Sequence, residues 1–384
     1  MVTRCMRGVA LMLLLGGPGA AGATPPPLRT ETLSVEAVPQ PGPHWVYLID
    51  AADSHMVDAK LIVYDADRRR IVAQLGAGAW PGFAAAPDRR EHYIATSYMS
   101  RGTRGVRTDV LEINDNRTFE KAGEVVLPPK HMQVVTASYD TTVSGDGRFA
   151  FVSNVTPAMS ITVVDLAHRR VASEIDTAGC VLAYPSGVRR VTALCESGRA
   201  LTVTIGDDGC ETARRQSDPF IDVDRDPVYV NARRIGERYL FLSHHGWLRE
   251  ADFSHGVGRF GPPWSLLDDR ERTAGWRPGG NQPFAVNTRT GRLYVAMHRG
   301  VDGSHKDPGT EIWVYDLAHH TRLARWNLAE RQVAPVTSLE VSQDDRPVVY
   351  GTGGADLSVF DGASGKLLVD EKQIGESVDQ LVAF

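Results

Sequence analysis

The chain has 384 residues, a formal net charge of −5 and 23% charged residues of mixed sign; a nucleic-acid binder would call for a strongly basic face, which nothing here suggests. Its length is well above the single-domain prior of about 150 residues, a prior that all-β barrels and propellers often exceed. The four cysteines include no Cys-x-x-Cys, so zinc and thiol-redox chemistry have no support.

Residues 1–23 read as a secretory signal peptide. Arg4 and Arg7 give a positive start, Val9 to Leu15 are apolar, and Ala21-Gly22-Ala23 fits the small-x-small cleavage pattern. The apolar run is too short to span a bilayer, which takes about 20 such residues. No later segment is a transmembrane candidate, so the mature chain is expected to be soluble, periplasmic and to start near Thr24. Cys5 leaves with the signal. Residues 24–43, rich in Pro and small residues, read as an arm.

From 44 to 384 one pattern recurs. An apolar alternating run meets a polar turn, a second run ends in Asp or Asn, and a third run follows. Trp45 to Asp50 leads to Leu61–Asp65 and Ile71–Leu75; His92 to Ser97 leads to Val110–Asp115. The clearest copy follows the Gly145-Asp146-Gly147 turn: Phe149–Asn154, Ser160–Leu166, Arg170–Ile175. Further copies begin at Val191, Tyr239, Arg292 and Val348. The spacing, roughly 40 to 65 residues, suits four-stranded propeller blades, and seven copies predict an all-β, seven-bladed β-propeller. Two packed sandwiches would show similar strands, but a regular repeat over the whole mature chain is against them. The Asp or Asn closing each middle run reads as a turn former. The last strand, Asp379 to Phe384, is expected to close the ring against Thr30 to Val38. Cys180 and Cys195 flank a hairpin-like stretch and are the expected disulfide pair, with Cys210 as the other partner open to Cys195.

The search for catalytic constellations yields no catalytic residue and no metal site. His244-His245 and His319-His320 are adjacent, and neighbours on a strand point to opposite faces, so neither pair easily holds one ion. Three segments are longer than a turn requires: Ala274 to Gln282, Ser304 to Gly309, and His55 to Asp58. Long insertions on one propeller face are where binding sits. Trp276 and Arg277 are of the types enriched at interface hot spots.

These segments carry a resemblance. Arg107 to Glu112, Gly275-Trp276-Arg277-Pro278-Gly279-Gly280, Ser304 to Asp316, Ser338 to Asp345 and the Cys180/Cys195 spacing resemble the large (heavy) subunit of quinoprotein amine dehydrogenases, the methylamine and aromatic amine dehydrogenases. The Ser304-His305-Lys306 segment is closer to the aromatic amine branch. The resemblance implies a periplasmic seven-bladed propeller paired with a small, disulfide-rich subunit in a two-plus-two heterotetramer. The small subunit of such enzymes carries tryptophan tryptophylquinone, and none of that cofactor is on the large chain. Amine goes to aldehyde and ammonia, and electrons pass to a blue-copper protein of the amicyanin or azurin type. Trp276 and Arg277 are then expected at the small-subunit interface. In methylamine-type members an aromatic residue in the loop after the first strand lines the substrate channel; here that loop has none, and His55 or Met56 takes its place. Asn281 stands where relatives often have a bulky residue. The other class of function the sequence admits is a stand-alone periplasmic binding propeller.

Overall fold

The computed structural model describes residues 37–51, 56–134 and 136–384, and the unit Val38–Phe384 is built almost wholly of antiparallel strands. The pairings resolve into seven sheets. The first joins Val378–Ala383, Trp45–Asp50, Ala59–Asp65 and the opening half of Arg70–Ala85. The second joins the closing half of that long strand to Glu91–Met99, Arg107–Asp115 and Lys121–Leu127. Gly78 (φ 63°) and Trp80 (φ 56°) turn the corner between the halves; a Cβ on Gly78 would lie 2.5 Å from Thr96 Oγ1. The third sheet runs Thr141–Val143 to Arg170–Asp176, the fourth Cys180–Pro185 to Glu211–Gln216, and the fifth Arg233–Ile235 to Trp264–Ser265. The sixth starts at Trp276–Pro278 and Phe284–Asn287 and ends at Thr321–Asn327; the seventh runs Ser338–Val341 to Leu367–Glu371.

The ring follows from side-chain alternation. In Trp45–Asp50, Val46 and Leu48 pack with Tyr350 and Val359 of the seventh sheet, while Trp45, Tyr47 and Ile49 pack with Phe83 and Ile94 of the second. Seven such cores lie between successive sheets. The others join second to third (Leu111, Val164), third to fourth (Phe151, Val191), fourth to fifth (Tyr184, Tyr239), fifth to sixth (Leu240, Leu293) and sixth to seventh (Ile312, Leu339). Seven sheets and seven cores in cyclic order make a seven-bladed propeller.

The turn-forming acids act as expected. Asp65, Asp165, Asp316 and Asp361 each accept the backbone N–H three residues on, from Arg68, His168, His319 and Ser364. Cys180 and Cys195 are bonded and stand opposite each other across their two strands, leaving Cys210 exposed and free. The closing strand does pair with an N-terminal partner, but that partner is Trp45–Asp50. Of the expected Thr30 to Val38, residues up to 36 lie outside the described ones, as do the signal peptide and most of the arm. Trp276–Pro278, expected in a loop, is a short strand paired to Met297–Arg299.

Candidate functional interface

The innermost strands run the same way round the axis, bridging in parallel at Gln282 and Ser338. Each blade is a meander from its innermost strand outwards, so two sets of connections collect on one end of the ring, here the upper face. They are the links between blades and the turns between second and third strands. Residues 56–58, 128–134, 136–140, 217–232, 243–246, 279–283 and 300–310 all fall there. The three long segments singled out in the sequence therefore share one face.

At its centre Asn281 crosses the axis. Its amide Nδ2 donates to Thr136 O (3.2 Å) and Asp379 O (3.1 Å), and its Oδ1 accepts from Lys306 Nζ (3.1 Å). Asn231 Nδ2 donates to Asn281 O (2.7 Å) and Asn231 Oδ1 accepts from Ser138 N (2.8 Å). Strands from opposite sides of the ring are thus tied by two amides. Sequence reading marked Asn281 only as a departure from a bulky residue; nothing local signals a partner a hundred residues away.

Beside this tie, His244 and His305 stack face to face, with centroids 4.1 Å apart and planes within 9°. Tyr229 OH holds the second loop in place by donating to Pro278 O (2.9 Å) and His305 O (3.2 Å), and Gly280 N donates to His305 O. Burial, then the neighbouring charges of His305, His245 and Lys306, push His244 down to about 4. Burial and Lys306 also lower His305. The stack is uncharged at neutral pH and presents a flat aromatic plate.

Around the plate runs a charged rim. Arg277 Nη1 lies 2.9 Å from Asp302 Oδ1, which also meets His245 Nε2 at 3.1 Å; His245 Nδ1 is 3.3 Å from Asp226. Asp302 is 84% exposed while Arg277 is 16% exposed, so the carboxylate is the outer member. Hydrogen bonds from Arg277 and His245 hold Asp302 below the usual carboxylate range. Trp276 is turned inwards, 7% exposed, against Trp313 with centroids 5.1 Å apart. Arg299 and Arg325 lie over its ring at 5.1 and 4.7 Å. Met56, on the same face, is 45% exposed; His55 lies outside the described residues. Among the described residues no group of three or more His, Cys, Asp or Glu is placed to hold a metal ion. A flat neutral plate with a charged rim is suited to recognising another polypeptide.

Residues 43–383 match the methylamine dehydrogenase heavy chain family. The chain is 23% identical to the methylamine dehydrogenase heavy chain of Methylophilus methylotrophus over 383 residues, covering 96% of this chain and 92% of that one. It is 26% identical to the heavy chain of Paracoccus versutus, covering 90% and 80%. Among solved structures it is similar in fold to the periplasmic gluconolactonase of Pseudomonas aeruginosa (TM-score 0.58, 14% identity, 88% of this chain and 99% of that chain). It is also similar to the hydrazine synthase of Kuenenia stuttgartiensis (TM-score 0.51, 14% identity, 79% and 90%).

Proposed function

Because the chain belongs to the methylamine dehydrogenase heavy-chain family, we propose that it is the large subunit of a periplasmic amine dehydrogenase, which oxidises a primary amine to aldehyde and ammonia. The observation that carries this reading is the family match over 43–383, which takes in all seven blades. On this reading a small subunit sits on the upper face in a two-plus-two assembly, and electrons pass on to a blue-copper protein.

The tryptophan tryptophylquinone belongs to the small subunit, where it supplies the electrophile and electron sink. The one close pair among the described residues, Trp276 and Trp313, is tilted by 48° and buried under Arg299, Arg322 and Arg325. This chain's own residues do the positioning. The His244–His305 plate and the Arg277–Asp302–His245 rim receive the partner. On this reading the loop after the first sequence strand, where Met56 is exposed, shapes the substrate entrance with a softer wall than an aromatic ring would give.

Purification from the native host should bring down a small subunit with visible quinone absorbance; a clean, colourless single chain would count heavily against the reading. Arg277→Glu puts a second negative charge beside Asp302 at the rim. It should weaken subunit association by about 2 kcal/mol, as at an interface hot spot. Unchanged association, by analytical ultracentrifugation, would move the contact away from this rim.

A further inference from the structure

We propose that the axial cavity below the Asn281 tie is a binding site for a small dianionic oxyanion, a short dicarboxylate or a phosphate. This inference does not depend on the small-subunit reading and concerns the opposite end of the ring.

The cavity has a volume of about 700 Å³ and is lined from six of the seven innermost strands, within the range of small-ligand pockets. The turns that follow those strands form its mouth, at Pro87, Gly145, Val188 and Glu237, so it opens on the lower face. Six charged side chains line it: Arg89, Arg190, Arg233, Arg234, Glu237 and Glu340. Both carboxylates are matched. Glu340 Oε2 lies 3.4 Å from Arg233, and Glu237 Oε1 lies 2.9 Å from Arg234.

Arg89 and Arg190 are not matched. Arg89 Nη1 donates to Ala383 O at 3.3 Å. Arg190 Nε donates to Ser186 O at 2.9 Å, and its Nη2 to Ser254 O. Among the described residues neither forms an ion pair with a carboxylate. A chain of net charge −5 therefore directs four guanidinium groups and only two carboxylates into one recess, an excess of two positive charges, with Glu340 acting on Arg89 from beyond ion-pair distance. Concentrating like charge at a partly dehydrated site is costly unless a counter-charge arrives. The turn is shaped for it: a Cβ on Gly187 (φ 95°) would lie 2.6 Å from Arg190 Nη2, so only glycine lets that guanidinium lie across the turn. Deeper in, Ser138 Oγ and both polar atoms of Gln380 have no protein partner, and buried polar groups are normally satisfied. Two spare cations call for a ligand carrying two negative charges, and guanidinium groups favour planar or tetrahedral oxyanions.

The test is titration calorimetry on the full secreted chain, alone and with its partner, against sodium phosphate and sodium succinate at constant ionic strength in chloride. Saturable one-to-one binding of either is expected; phosphate alone points to a phosphoryl ligand, succinate alone to a dicarboxylate. Arg89→Gln and Arg190→Gln should each weaken it at least about tenfold, with Arg104→Gln on the upper face as the unaffected control. Each variant's melting in chloride checks its fold, and the wild-type titration stands whatever the variants do. Absence of saturable binding to the wild-type chain overturns the proposal, and so does equal affinity in folded Arg89→Gln and Arg190→Gln.

Discussion

His131 is 2% exposed and neither ring nitrogen has a partner. Burial pushes it down to about 4, with the Asp109 carboxylate opposing and Arg107 assisting. The unfolded chain takes up that proton near pH 6.5, and the folded chain only near 4. Between those values the unfolded state binds more protons, so this contribution is complete above about 6.5 and is lost as pH falls towards 4. His92 and His244, also at about 4, act in the same direction. His44 acts in the opposite sense. Burial works against its charge, but Asp67 and Asp344 hold it above its usual value, so its contribution fades as pH rises. Burial lowers His298 and His305 as well, so the depressed histidines outnumber it, and urea midpoints should fall from pH 6.5 to 4. His131→Gln should fall less steeply; parallel curves would refute the assignment. Histidines are visible in a sequence but their burial is not. Scattered His131 gave no sign that it sits sealed beside Asp109, and nothing local showed that Trp276, flagged as a contact residue, joins the core between the fifth and sixth blades with Arg299 and Arg325 over its ring.

At the scale of strands, the second and third strands of each blade were legible because they are apolar runs buried on both faces, as in Phe149–Asn154 or Glu311–Asp316, whereas mostly exposed outer strands such as Lys121–Leu127 and Glu211–Gln216 were not. Nor were most innermost strands. Thr141–Val143 and Arg233–Ile235 have three residues each, too few for a period to register. Their polar groups serve the neighbouring blade: Thr142 Oγ1 donates to Ala183 O, Arg233 Nε to Phe284 O, and Ser338 Oγ to Asp379 O. Such strands look like loops until their partners are known. The hairpin of the fourth blade was legible through its cysteines, which close a separation of 15 residues. A loop of that size confers about 3 kcal/mol in the chain-entropy model. Replacing Cys180 and Cys195 together by alanine should remove about that much by denaturant titration. A loss under about 0.5 kcal/mol would mean that the strand pairing, not the covalent link, holds the hairpin.

For the whole molecule, the ring is left with only short, protected sheet edges once its two ends meet. They meet inside one blade, where Val378–Ala383 pairs with Trp45–Asp50 and Phe384 N donates to Trp45 O. Phe384 then stacks on Tyr47 with centroids 5.2 Å apart. The strand has a second duty, since the backbone of Asp379 and Leu381 accepts from Asn281, Ser338 and Gln282. Closure and the cross-axis tie therefore share one strand. Val378 and Leu381 are fully buried between blades, and burying such side chains stabilises by about 1.5–3 kcal/mol each. Removing residues 378–384 forfeits roughly 5 kcal/mol from those two alone. At about 2–4 °C per kcal/mol for a domain of this order of size, melting should fall by on the order of 10 °C or more. The truncated chain should also associate through the exposed edge of Trp45–Asp50. If calorimetry finds the melting unchanged and light scattering finds no association, this strand does not hold the ring shut. In that case the upper face must get its rigidity from contacts other than the Asn281 tie.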